Sequence, residues 1–236
     1  MLAVLVLPFI SVAFGEELHC GTRFRRTKRW RTMIGGYLPT TPSGFDFQEE
    51  FSGWPWQVFI HWTSKTNPNL AGDCGGTIIG SRWVLSAAHC FPNPDEIATV
   101  VFAGTGKHVK KQRKGIKRQV VHVHMLPKAG NKIVDDIAIL ELGGEPFEFS
   151  RSLHPICLPS SDSQLSEGST VATAVGWGST VAHDGKSNVK AQASDDLLEL
   201  ELPVVKCTDR LRQSVGEAAV KKLVCAGGEE GKGTCQ

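Results

Sequence analysis

Two short segments of this chain hold side chains that could move a proton between reacting atoms. In Ser86-Ala87-Ala88-His89-Cys90 an imidazole sits between alanines and a cysteine, directly after the apolar run Trp83-Val84-Leu85. Small neighbours and a crosslink hold such a ring close to the backbone, and a fixed imidazole can act as general base and general acid near neutrality. Taken alone, a histidine in this setting is more often structural than catalytic. Asp135-Asp136-Ile137-Ala138-Ile139-Leu140 is the second segment, an acidic pair opening an apolar strand. Such a pair can cap the strand at a turn. It can equally supply a carboxylate that accepts an imidazole N–H, fixes the tautomer and stabilises the imidazolium. Asp136 directly precedes the apolar run and is the better candidate of the two.

Cys74-Gly75-Gly76 lies upstream of the histidine. Its glycines allow close backbone approach. A bridge from Cys74 to Cys90 would close a loop worth about 3 kcal/mol and hold His89 beside the preceding strand. Such fixation matters, because misplacing a catalytic group by about 1 Å can lower a rate about a hundredfold. His122 and His124 alternate along one segment, as metal ligands can, but exposed strand residues are the preferred reading. Lys107, Lys110, Lys111, Arg113, Lys114, Lys117 and Arg118 form a basic run. It reads first as a solvated hairpin loop, and alternatively as an exosite for polyanions such as heparin-like glycans.

The elements that must position these residues are short and β-rich. Strands are predicted over 56–62, 76–80, 83–86, 98–103, 119–124, 137–142, 171–175 and 197–205. Turn clusters such as Pro92-Asn93-Pro94-Asp95 separate them. Leu198, Leu200 and Leu202 alternate with Glu199 and Glu201, which predicts a strand with one wet face. One or two helical turns are predicted over 205–212. Short strands at this regular spacing predict an all-β barrel or sandwich.

Composition bounds the partners. The chain has 236 residues and a net charge of +2, too balanced for a global nucleic-acid or membrane partner. Leu2 to Phe14 is apolar except for Ser11 and is too short to span a bilayer. Ala13-Phe14-Gly15 then places small residues where a signal peptidase cuts. Residues 1–15 are therefore read as a secretory signal, with a buried N-terminal strand as the alternative. Residues 16–32 carry six Arg and Lys between Arg23 and Arg31. They read as a basic propeptide with dibasic processing sites in preference to a disordered arm. Seven cysteines in an exported chain indicate disulfides, and the odd count leaves one over. The chain has neither a CxxC pair nor HExxH, so a zinc site is not expected, and no cofactor is. With no N-x-Ser/Thr acceptor, N-glycosylation is not expected either.

The motifs together resemble the chymotrypsin/trypsin family of serine proteases over residues 33–236. The resemblance rests on Met33-Ile34-Gly35-Gly36, Trp54-Pro55-Trp56-Gln57-Val58, Cys74-Gly75-Gly76 and Ser86-Ala87-Ala88-His89-Cys90. It continues in Asp136-Ile137-Ala138, Pro155-Ile156-Cys157-Leu158-Pro159, Gly176-Trp177-Gly178, Cys225-Ala226-Gly227 and Cys235-Gln236. Each motif is weak alone; all of them in family order make a specific match. The resemblance implies two packed six-stranded antiparallel barrels with the site in the cleft between them. His89 would be the general base and Asp136 its orienting carboxylate. Disulfides would join Cys74 to Cys90, Cys207 to Cys225, and Cys20 to Cys157. Cys235 would be left over. The family's serine is expected three places beyond Gln236, so the second barrel is expected to be incomplete. Gly233 would lie at the floor of the primary specificity pocket, where trypsin-like members carry aspartate, and argues against Lys/Arg preference.

Two features depart from the family pattern. Thr32 separates Arg31 from Met33, where family members are cut directly after a basic residue by an activating protease. The stretch between Gly36 and Trp54 is also longer than usual. The function implied is that of a secreted serine endopeptidase acting on polypeptides. A catalytically inactive homologue serving as a binding or regulatory module is the alternative.

Overall fold

The computed structural model describes residues 20–21, 53–104, 115–126, 135–160, 167–178 and 194–228. The signal segment 1–15, Gly233, Cys235 and Lys107 to Lys114 of the basic run lie outside these residues, as does all of 16–32 but Cys20 and Gly21.

Six strands close into an antiparallel barrel. They are β1 (Gln57–Ser64), β2 (Ala71–Gly80), β3 (Trp83–Ser86), β4 (Ile97–Ala103), β5 (Ile116–Met125) and β6 (Ala138–Leu142). Their order is β1-β2-β3-β6-β5-β4, and β4 pairs back to β1 with Ile60 opposite Val101. Closure leaves no open sheet edge. Alternation decides which side chains fill the interior. Ile97, Thr99, Val101 and Ala103 of β4 are buried, as are Ala138, Leu140 and Leu142 of β6.

The second unit contains an antiparallel sheet in the order β7-β8-β9 among the described residues. Its strands are β7 (Val171–Gly176), β8 (Leu198–Val205) and β9 (Cys225–Ala226). Two short helices, α1 (Asp209–Val215) and α2 (Glu217–Val220), lie between β8 and β9. The architecture is all-β: one closed six-stranded barrel and an incomplete second one. Leu198, Leu200 and Leu202 are buried together, as the alternation predicts. Glu199 on the opposite face accepts a hydrogen bond from Trp54 Nε1 at 2.8 Å, so that face is partly an inter-unit contact.

Several element boundaries differ from the sequence expectation. β2 begins at Ala71, not Gly76, because Ala71 to Gly75 pair with Phe59 to Thr63 of β1. This stretch is poor in β-formers, and its conformation is imposed by the neighbouring strand. β5 begins at Ile116, three residues before the predicted start, through pairing of Ile116 with Ala103 of β4. The helical turns lie at Asp209–Val215, starting four residues later than predicted, because Val205 remains in β8 and Thr208 supplies the N-cap. Thr208 Oγ1 accepts from the Leu211 N–H at 3.3 Å, satisfying one of the free donors at the helix start.

Gly76 shows why the glycine pair is needed. A Cβ on Gly76 would lie 2.8 Å from Ile60, 2.9 Å from Val84 and 3.0 Å from Val58, all inside the barrel. Gly76→Ala is therefore expected to overpack the barrel and lower stability by about 1–3 kcal/mol, read as a fall in the urea midpoint.

Candidate functional site

The antiparallel pairing of β3 with β6 brings the two candidate segments together. Ser86, the last residue of β3, lies opposite Ala138, the first residue of β6. His89 follows β3 by three residues and Asp136 precedes β6 by two. Both therefore emerge at the same end of the same strand pair. His89 occupies a 3-10 turn, Ala88–Cys90, in which the Phe91 N–H donates to the Ala88 carbonyl at 3.1 Å. Phe91 is fully buried and anchors the end of this turn. Two further contacts hold it to β2. Ser86 Oγ donates to the Gly75 carbonyl at 2.9 Å, and Cys74 is joined to Cys90.

Asp136 is aimed by a tight turn. Asp135 has φ of 62° and is the only non-glycine residue with positive φ among the described residues. Aspartate tolerates this left-handed region better than most residues. The Ile137 N–H donates to the Asp135 carbonyl at 2.9 Å, closing a three-residue turn centred on Asp136. The Asp136 carboxylate then accepts twice from one residue. His89 Nδ1 donates to Oδ2 at 2.6 Å, and the His89 backbone N–H donates to Oδ1 at 2.7 Å. These contacts fix the ring and the carboxylate as one body.

The same contacts set the charge of the pair. Burial pushes the Asp136 carboxyl upward. The side-chain and backbone hydrogen bonds from His89, and the charge of its ring, outweigh that and leave the pKa below the usual aspartate value. An ionised Asp136 accepts from a His89 Nδ1–H, and in the neutral ring this tautomer makes Nε2 the basic nitrogen. The His89 side chain is 50% exposed and Asp136 only 22%. The imidazole is open to an incoming group while its partner is sheltered. Such an arrangement can take a proton from a hydroxyl and return it to a leaving group.

A family model for trypsin matches residues 46–236. The chain belongs to the trypsin family. Solved structures agree on the fold. GrC is 22% identical, with 77% of this chain and 74% of that one covered, at a TM-score of 0.60. The scabies mite inactivated protease paralogue S-D1 is 24% identical, with 78% of this chain and 73% of that one covered, at a TM-score of 0.58. Family and fold together support a peptidase-type function for this trypsin-family chain.

The three cysteine pairs implied by the resemblance are joined: Cys20–Cys157, Cys74–Cys90 and Cys207–Cys225. Gly233 lies outside the described residues. His122 and His124 are exposed on β5 with ring centroids 4.4 Å apart, and His124 Nε2 lies 3.3 Å from Glu141 Oε2. No group of three or more His, Cys, Asp or Glu among the described residues is arranged to hold a metal ion. Of the basic run, Arg118 serves the fold. Its Nε donates to the Glu145 carbonyl at 2.6 Å, and its guanidinium lies 5.5 Å from the centre of the Phe147 ring. Sequence reasoning missed the pair between His61 Nδ1 and Asp73 Oδ1 at 2.7 Å. Only the β1–β2 register, which sets His61 opposite Asp73, could have revealed it.

The lowered Asp136 pKa has a definite pH signature. Its contribution to stability is fully present above the unfolded value of about 3.9 and is lost as pH falls through the lower folded value. The stability advantage of the wild type over Asp136→Asn should thus shrink as pH drops below about 4. Urea midpoints of both proteins across that range check this.

Proposed function

We propose that the chain belongs to a secreted serine-type endopeptidase in which His89 is the general base and acid and Asp136 is its orienting carboxylate. One observation carries the reading. Asp136 binds both the ring, through Nδ1, and the backbone of His89, on an imidazole that is half exposed. The nucleophile is the serine hydroxyl that family resemblance places three positions after Gln236. As it attacks a peptide carbonyl, its proton passes to His89 Nε2. Asp136 stabilises the imidazolium, which then protonates the departing amine and leaves an acyl-enzyme. Water, activated by the same imidazole, releases the acyl group.

Secretion is supported by the apolar leader at 1–15 and by three joined cysteine pairs. The basic segment 16–32 is read as a propeptide that an activating protease cuts, with the part carrying Cys20 kept tethered through Cys157. If Gly233 holds the family's pocket-floor position, as the resemblance implies, it brings no carboxylate for a Lys or Arg side chain, so cleavage after apolar residues is expected. A peptide library scanned at the residue before the cut checks this, and preference for Lys or Arg would overturn it. The basic run at 107–118 reads first as a solvated hairpin loop and alternatively as a surface for polyanionic glycans, with Arg118 held back by its carbonyl contacts.

The central test uses the natural secreted product. A fluorophosphonate probe should label it, and His89→Ala should slow peptide hydrolysis by at least about a hundredfold with the fold intact. Hydrolysis insensitive to His89→Ala would sink the assignment. A folded product that takes no label would favour the inactive binding-module reading instead.

A further inference from the structure

We propose that Lys222 and Asp135 form a clamp between the two units that seats the Asp136 carboxylate on His89, making Lys222 a positioning residue for proton transfer. The inference rests on the reading of His89 as the base and adds a residue from the second unit to it.

Lys222 Nζ lies 3.1 Å from Asp135 Oδ1 and 3.3 Å from Oδ2, so one ammonium spans both carboxylate oxygens. The partners are 87 residues apart in sequence. Lys222 stands on a rigid post. Its N–H donates to the Ala219 carbonyl at 3.0 Å at the end of α2, and Cys225, three residues on, is joined to Cys207. Asp135 is the residue held at positive φ, and its carbonyl closes the turn that aims Asp136. A pull on the Asp135 side chain therefore acts on a backbone with a strained left-handed residue directly before Asp136. Without the tether, that residue can relax toward ordinary φ and swing the Asp136 carboxylate off the His89 N–H groups. Both clamp partners are substantially exposed, 59% and 40%, so the clamp should weaken as salt rises.

The His89 backbone amide reports the seating directly, because its N–H donates to Asp136 Oδ1. Hydrogen exchange would be followed by NMR on the full chain for wild type, Lys222→Met, Lys222→Arg and Asp135→Gly. Glycine accepts the positive φ, so Asp135→Gly removes the tether without adding strain. Exchange at His89 should quicken roughly twofold to fivefold in Lys222→Met and Asp135→Gly, with core amides such as Ile60 and Leu140 unchanged. Lys222→Arg should keep the wild-type rate. Added salt should quicken His89 exchange in wild type and leave it unaltered in Lys222→Met. Unchanged His89 exchange in both clamp variants would overturn the proposal. So would equal acceleration of His89 and the core amides, which marks general destabilisation. An unprotected His89 amide in wild type would remove the clamp and the proton-transfer reading together. Normal hydrolysis by His89→Ala would remove that reading without altering this exchange pattern.

Discussion

The site depends on one backbone register, the alignment of Ser86 with Ala138 across β3 and β6. Because a strand pairing has period two, a slip by one residue would turn every side chain of β6 to the other face. Ala138, Leu140 and Leu142 would leave the interior, and the Asp136 turn would shift along the strand. The buried side chains of β6 thus pin the position of a carboxylate that is not itself in the core. Packing of the barrel and geometry of the site are the same constraint seen from two sides.

The contact between the units is built from groups of different kinds. β1 is buried over its first four residues, Gln57 to Ile60, although an isolated barrel strand would show one wet face. Phe59 packs edge-to-face with Trp177, ring centroids 5.7 Å apart, which accounts for its outer side. Trp54 reaches Glu199 across the same boundary. Trp177 and Leu197, from the second unit, belong to the same hydrophobic cluster as the barrel interior. The units therefore share apolar packing as well as polar links, which favours a fixed mutual orientation.

Much of this was legible in the sequence, for identifiable reasons. β8 was recoverable because burial of one face imposes period two on Leu198, Leu200 and Leu202, whereas β4 and β7, largely apolar on both faces, read only as short β-rich runs between turns. His89 and Asp136 were found through local composition: small residues beside the ring and an acidic residue at the mouth of an apolar run. The closeness of the two was implied by resemblance alone, since nothing local says that β3 pairs with β6. Strand pairing also hid the early start of β2, where Ala71, Gly72 and Asp73 carry little strand preference of their own. β9 spans only Cys225–Ala226, too few residues for any period to register. Lys222 and Asp135 each read as ordinary surface charges, and only the folded chain shows them meeting.

His89 and Asp136 both come from one continuous stretch, between Trp54 and Pro159, that closes its barrel without any strand from downstream. A growing polypeptide leaves the ribosome in that same order. The imidazole and its partner can therefore be brought to the same end of an already closed cylinder while later residues are still being made. Lys222, emitted afterwards, would arrive as the latch that seats parts already delivered to one place.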